Sequence, residues 1–305
     1  MLIVDTDPGI DDTVAIMTLL AAGTKVDAFV SVYGNVPESL TTANMQRVLD
    51  LAGETTAARF RGATAPMFGD PVTAYHVHGN DGLGGALEHT ATPSLDPVDY
   101  PALIRSATDP VTIVALGPLT NVARAIVAAP DVVDRIERIV LMGGAVLTWG
   151  NTTPAATFNL VNDPFAAALV YDSGIPLVQA GLDVCRKAGV PGSRLMEFRD
   201  STTETGQFLW RMFNGHHMVD KERGLQDDSS LWFNDGPAIA YLLRPELFAT
   251  SRLPMMVESE GRFARGATFA DFEGVTGRAP NAELLLEIDT EGYIDLVTSM
   301  LATYR

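Results

Sequence analysis

The sequence contains a single cysteine, Cys185, among 305 residues. No internal disulfide can form and no cysteine cluster offers a zinc site; such a chain fits a reducing compartment. No run of 18 or more uncharged apolar residues occurs, so no membrane-spanning helix is expected. No basic segment precedes the first apolar run, which argues against a signal peptide and for a cytoplasmic protein. Cations are scarce: 21 Lys and Arg stand against 38 Asp and Glu, a formal net charge of −17. That balance argues against nucleic acid and anionic membranes as partners. Repeats, low-complexity tracts and linkers are also missing, and 47% of the residues are hydrophobic. The chain therefore reads as one domain over residues 1–305.

The shortage of cations is local as well as global. Residues 1–24, 139–185 and 225–243 hold no Lys or Arg. These stretches carry the candidate site, and a phosphorylated ligand would want Arg or Lys there. The expected ligand is a neutral small molecule rich in hydroxyls.

What is present is concentrated in the first twelve residues. Leu2, Ile3 and Val4 form an apolar run suited to a buried strand. Pro8 and Gly9 break it, and Gly9 is suited to a positive φ. Asp11 and Asp12 then open a helix continued by Val14, Ile16, Met17, Leu19 and Leu20. A helix N-terminus accounts for one or two acids, not for the four of Asp5, Asp7, Asp11 and Asp12 within eight residues. Two unit charges ~4 Å apart repel by ~4 kcal/mol at an effective dielectric of ~20. A divalent cation with oxygen ligands, Ca²⁺ or Mg²⁺, relieves such crowding.

Further along, strand and helix signals alternate. Residues 26–32, 58–61, 111–116, 136–142 and 176–180 read as strands. Residues 39–52, with Ser39 as N-cap, 119–128 and 164–171 read as helices. This rhythm predicts an α/β fold, a mostly parallel central sheet flanked by helices. Residues 62–97 read as a long irregular segment, and residues 193–245 as a helical insertion with a polar interruption at 220–230. Strands at 255–257 and 284–288 and a helix at 293–302 close the chain.

Ligands of such sheets bind at the carboxyl ends of the strands. That rule gathers residues 5–12, 33–35, 116–118 and 142–159, with Asn234 and Asp235 as a fifth piece before another helix. Asp7, Asp11, Asp12, Asn35, Asn151, Asn159 and Asp235 together supply oxygens for a hard cation and amides for hydroxyl recognition. No nucleophile–base pair is evident: Ser229 and Ser230 lie outside a nucleophile-elbow sequence and Cys185 has no neighbouring His. Metal-activated water is the expected attacker. Asn35 and Asn151 each follow a glycine, so turn formation is the alternative use for them. His76, His78 and His89 fall in the irregular segment, while His216 and His217 fall on an expected helix. His78, in Val77-His78-Gly79-Asn80-Asp81-Gly82, is the one singled out for the site. Trp232 and Phe233 read as core or as a platform for an aromatic ligand.

The stretch Asp5-Thr6-Asp7-Pro8-Gly9-Ile10-Asp11-Asp12 resembles the N-terminal fingerprint of the inosine–uridine-preferring nucleoside hydrolases. Tyr33-Gly34-Asn35-Val36, Gly117-Pro118-Leu119-Thr120-Asn121, Leu141-Met142-Gly143-Gly144 and Phe158-Asn159 follow in that family's order. The resemblance implies the family's Rossmann-related fold and a Ca²⁺ enzyme that splits nucleosides into ribose and free base, working as a homodimer or homotetramer. It implies Asp7 as general base and metal ligand, with Asp12, Asp235 and the Leu116 carbonyl as further ligands. Asp11, Asn35 and Asn159 would hold ribose hydroxyls, and Asn151 and Met142 would line the sugar pocket. The chemistry agrees, because carboxylates around the ring stabilise an oxocarbenium-like sugar.

Two positions depart from the family pattern. Asn234 stands where purine-active members commonly have His, and Thr157 where the family commonly has a Glu touching the ribose 5′-hydroxyl. Asn234 is a poor proton donor, which leaves His78 and His217 as replacements. These departures motivate a second reading, a nucleoside- or ribose-binding protein without turnover. A third, a Mg²⁺-dependent phosphatase of the haloacid-dehalogenase type, shares the strand and Asp-x-Asp. It wants Thr or Val where Gly9 stands and leaves Asp11 and Asp12 without a use.

Overall fold

A computed structural model describes residues 1–87, 94–219 and 221–305; His89 lies outside them. Leu2–Thr6 forms β1, with Ile3, Val4, Asp5 and Thr6 all buried. A strand buried on both faces is written as a continuous apolar run, the mark of a parallel sheet covered on each side. Ile10–Ala21 forms α1, Ala28–Ser31 β2, Glu38–Leu51 α2 and Ala58–Phe60 β3. The short helix α3, Tyr75–His78, and α4, Tyr100–Ser106, lead to β4 at Val111–Ala115. Thr120–Ala128 is α5, Ile136–Met142 β5, Phe158–Asn162 α6, Pro164–Tyr171 α7, Leu177–Ala180 β6 and Leu182–Cys185 α8. The remainder runs through β7 (Gly189–Pro191), α9 (Gly192–Leu195), α10 (Glu204–Gly215), β8 (Ser230–Trp232) and α11 (Gly236–Leu243). It closes with β9 (Phe248–Leu253), β10 (Met255–Val257), β11 (Thr268–Ala270), β12 (Ala282–Ile288) and α12 (Thr290–Leu301).

Among the described residues, eight strands make one sheet in the order β3-β2-β1-β4-β5-β6-β12-β9. Every pairing in it is parallel except that of β9 with β12. The expected mostly parallel α/β architecture is thus observed. One apolar layer joins the sheet to α1, α10, α11 and α12, and a second covers the opposite face with α4, α5 and α7. Among the described residues no helix is long and apolar enough to cross a membrane.

Several boundaries differ from the sequence reading. The second helix starts at Glu38 with Pro37, not Ser39, at its N-cap. The last helix starts earlier than expected, at Thr290, where the Asp289 carboxylate accepts the Gly292 N–H at 3.1 Å. Residues 255–257 do form a strand, but it pairs with β11 in a separate ribbon. The polar interruption ends in a strand, β8, held antiparallel to β7. His216 and His217 lie just beyond α10, not on it.

Strand order reverses at β1, which pairs with β2 on one side and β4 on the other. The crevice at such a switch point, beyond the carboxyl ends of the strands, is where open α/β sheets hold ligands. Asp7, Asn35, Leu116 and the chain after Met142 all emerge at that edge.

Candidate functional site

Each piece of the site is set by local structure. After β1 the chain turns through Pro8 and Gly9 into α1, and Asp12 sits at the third helical position. Its carboxylate accepts the N–H of Gly9 at 3.0 Å and of Asp7 at 3.2 Å, and the Thr6 hydroxyl at 2.5 Å. This is a helix-capping arrangement, and it also aims Asp12 at the crevice. Gly9 does not take a positive φ; its φ is −106°. The need for glycine there is crowding, since a Cβ would lie 2.6 Å from His78 Nδ1 and 2.7 Å from Asn35 Nδ2.

Asp7 is buried at the base of the crevice, between the backbones of Gly34 and Gly117. A Cβ at residue 34 would fall 1.9 Å from its Oδ2, and one at residue 117 would fall 2.7 Å from its Oδ1. The two glycines of the Gly34-Asn35 and Gly117-Pro118 segments therefore exist to let this carboxylate in. The Asn35 N–H donates to Asp7 Oδ2 at 2.8 Å. The Asn35 side-chain amide donates to the Asp7 carbonyl and to Asp12 Oδ2, each at 3.0 Å. Asn35 is thus a brace between two acids, beyond any turn role.

Asp235 enters from the turn between β8 and α11, and α11 packs on α1. Carboxylate oxygens of Asp11, Asp12 and Asp235 lie within 4.8 Å of one another. Asp11 Oδ1 is buried with no hydrogen-bond partner. The converging trio therefore includes Asp11, which the sequence reading had assigned to ribose. Asp7 lies next to the trio but outside it, with its charge raising the pKa of Asp235.

Burial raises the pKa of each of these acids, and for Asp7, Asp12 and Asp235 the charges of neighbouring acids add to the effect. Desolvation, then the Asp12 charge, pushes Asp7 well up; desolvation, then Asp12, Asp11 and Asp7, does the same to Asp235. Asp12 is raised by burial and by Asp11, and burial lifts Asp11 to about 6. The set cannot ionise together without a positive partner. Three converging oxygens and an orphaned buried carboxylate oxygen suit a hard divalent cation.

Above the acids is a cavity of about 340 Å³. Asp11, Asn35, Leu116, Met142, Asn151, Asn159, Asn234, Asp235 and His78 all line it. Asp7 and Asp12 are buried and do not line it. Asn159 donates its amide to the Leu116 carbonyl, and to the Met142 carbonyl at 3.2 Å. Asn151 Oδ1 accepts the Phe158 N–H at 3.0 Å, so it holds its loop as well as facing the cavity. Thr157 is the exception among the sequence-derived residues: it is fully buried off the cavity, where its hydroxyl accepts the Gly144 N–H at 2.9 Å.

Histidines, only partly foreseen, make up another part of the lining, and His78 Nδ1 lies 3.9 Å from Asp11 Oδ1. His76, His78, His216 and His217 all line the cavity, four of the chain's five histidines. The available signal was their grouping in two short segments. His78 Nδ1 accepts the Ile10 N–H at 3.1 Å, which leaves its proton on Nε2. Burial lowers its pKa to about 4, so it is a neutral donor. His216 and His217 stack with centroids 4.5 Å apart, and Phe233 packs edge-on against His216. Burial lowers the pKa of both. Trp232 also reaches the cavity, whereas Phe233 is core. Cys185 is buried and directs its thiol to the Asn234 carbonyl at 3.2 Å.

Residues 2–295 match the family model described as "Inosine-uridine preferring nucleoside hydrolase". The pyrimidine-specific ribonucleoside hydrolase RihA of Citrobacter koseri is 38% identical over 309 residues, covering 98% of this chain and 97% of that protein. Its namesake from Salmonella typhi is 37% identical over 314 residues, with 99% and 98% covered. Among solved structures, the purine-preferring ribonucleoside hydrolase from Gardnerella vaginalis superposes with a TM-score of 0.89 at 26% identity, covering 99% and 98% of the two chains. An inosine-guanosine nucleoside hydrolase gives 0.86 at 27%, with 99% and 98% covered.

Proposed function

The chain belongs to the inosine-uridine preferring nucleoside hydrolase family, whose activity is ribonucleoside hydrolysis, and on that basis we propose that it is a Ca²⁺-dependent hydrolase of pyrimidine ribonucleosides. The observation that carries this reading is the meeting of a carboxylate floor and an imidazole wall in one cavity. The floor suits a ribose that becomes cationic, and the wall suits a base that leaves with excess electrons.

Cleavage breaks the bond between C1′ and the base nitrogen through an oxocarbenium-like sugar. Asp11 and its neighbours lie beneath the ring and stabilise that charge. Asp7 takes a proton from the attacking water, and Asn35 keeps it oriented. Asp11, Asn35 and Asn159 hold the ribose hydroxyls, with Met142 and Asn151 flanking the sugar. Asp12 and Asp235, with Asp7 and the Leu116 carbonyl, would hold Ca²⁺. When bound, the ion supplies charge neutralisation and orientation of hydroxyl oxygens. We read residues 193–245 as an insertion in a single domain, because it brings His216, His217, Asn234 and Asp235 to the site. A cytoplasmic homo-oligomer remains the expected setting.

The pyrimidine preference is supported by two things: the names of the relatives above 35% identity, and Asn234. A carboxamide can hydrogen-bond a base but cannot protonate it. The His78 Nε2–H offers a donor without a positive charge. In a reducing-sugar assay, uridine and cytidine should release ribose faster than inosine. Asn234→His should raise inosine hydrolysis about 10²-fold, the lower range for general-acid assistance. No ribose from any nucleoside, or inosine as the best substrate of the unaltered chain, would count against the proposal.

The carboxylates also set a pH-dependent response to the metal. Asp11 titrates near 6 in the folded chain and at its ordinary value of 3.8 when unfolded. Between those values the folded state binds more protons, so metal-free stability falls as pH rises through that window. Ca²⁺ needs the ionised acids, so its stabilisation should be larger at pH 8 than at pH 5. At 100 times its Kd it would add about 2.7 kcal/mol, several degrees in Tm. Melting curves with Ca²⁺ and with chelator at both pH values measure this, and equal shifts would contradict it.

A further inference from the structure

Beside the first cavity lies a second, more open pocket of about 560 Å³, with the exposed Lys221 at its rim. His76, Val77 and His217 line both. None of Asp11, Asp235, Asn35 and Asn159 lines the second pocket, so it opens off the histidine side of the first cavity, the side toward which the proposed reaction sends the base. Its chemistry is different. Among the described residues, the first cavity has no Lys or Arg in its lining, while the second has Lys221. The Lys221 ammonium donates to the Gly215 carbonyl at 3.2 Å, and an ammonium has three donors. The carboxylate nearby, Asp81, is turned to its own loop. Its Oδ1 accepts the N–H of Leu83 at 3.0 Å and of Gly85 at 2.9 Å, and its Oδ2 accepts that of Leu87 at 3.3 Å. Lys221 therefore has donor capacity left for a ligand.

We propose that this pocket receives a substituent on the C4–C5 edge of the pyrimidine, the edge remote from the glycosidic nitrogen, and favours a short chain ending in a carboxylate. The substrate class is pyrimidine ribonucleosides with an acidic base extension, and the inference rests on the ribonucleoside-hydrolase reading of the first cavity. The reaction is otherwise unchanged. The C1′–N1 bond breaks, water oxygen bonds to C1′, one water proton ends on the departing base, and the substituent leaves intact with it. A net charge of −17 repels anions at long range. A preference for an acid over its neutral amide would therefore report the local Lys221 contact.

The test compares kcat/KM for uridine, 5-carbamoylmethyluridine and 5-carboxymethyluridine in the Ca²⁺-supplied full chain and in Lys221→Glu. Both substituted nucleosides should be hydrolysed at least as well as uridine. The acid should exceed the amide by about three- to fivefold, the upper range for an ion pair with an exposed lysine. Lys221→Glu should abolish or reverse that ratio and leave uridine unchanged. Substituted nucleosides tenfold worse than uridine would show that the pocket does not take them. An acid-to-amide ratio that Lys221→Glu does not move would remove the lysine contact. Either result overturns the proposal while uridine turnover keeps the hydrolase reading. Failure of all three substrates would overturn both.

Discussion

Asp7→Asn is expected to lower kcat by about 10²–10⁴-fold, the range attributed to a positioned general base. The substitution keeps an oxygen where the Asn35 N–H donates at 2.8 Å and adds no volume between Gly34 and Gly117. The fold should therefore survive, and a melting curve would verify that it does. What disappears is the capacity to accept a proton from water, together with one negative charge of the set proposed to hold Ca²⁺. Asp7 sits beside the trio of Asp11, Asp12 and Asp235 but outside it. Asp7→Asn should consequently retain more Ca²⁺-induced stabilisation than Asp235→Asn. A large loss of turnover with a small loss of Ca²⁺-induced stabilisation would mark the base role of Asp7 as the dominant one and its ligand role as the lesser. A folded Asp7→Asn protein with near-normal turnover would exclude Asp7 as the base.

Removing the ribose 2′-hydroxyl should be at least as damaging. Uridine is expected to exceed 2′-deoxyuridine in kcat/KM by about 10⁴-fold, the discrimination typical of a site built to bind a hydroxyl that the analogue lacks. The physical cause is the set of polar groups left without partners. Asp11 Oδ1 is buried and already unpartnered. Asn35 and Asn159 are 6% exposed, so water reaches them poorly. A missing hydroxyl leaves such groups desolvated and unpaired. Steady-state rates on the two substrates decide the matter. A ratio below about ten would mean that the acids and amides do not grip that hydroxyl.

The architecture was legible wherever burial alone dictates residue type. β1, β4 and β5 are central strands covered on both faces, and their continuous apolar runs matched the observed elements closely. Edge and ribbon strands were legible only in part: edge strand β3 and ribbon strand β10 match the expected 58–61 and 255–257, whereas β7, β8, β9 and β11 had no counterpart in the sequence reading. Phe248–Leu253 pairs antiparallel at the sheet edge and is largely exposed or half-buried, so its sequence carries no strong pattern. β7 and β8 have three residues each and exist only because they pair with each other. Strands this short have no period to detect.

The sequence by itself determined that many acids would crowd the switch point of a parallel sheet, that no Lys or Arg would neutralise them, and that Asn234 would stand beside Asp235. These follow from neighbours along the chain and from strand ends that must share one edge. Tertiary structure alone decided which acids converge. Asp11 and Asp12 lie on α1 and Asp235 lies in the turn that leads into α11, and the packing of α11 on α1 brought Asp11 into the trio, with Asp7 beside it. Tertiary structure also turned Thr157 away from the cavity and brought histidines from residues 76–78 and 216–217 onto one wall. Contacts between segments more than a hundred residues apart are set by the whole core, and no local spacing encodes them.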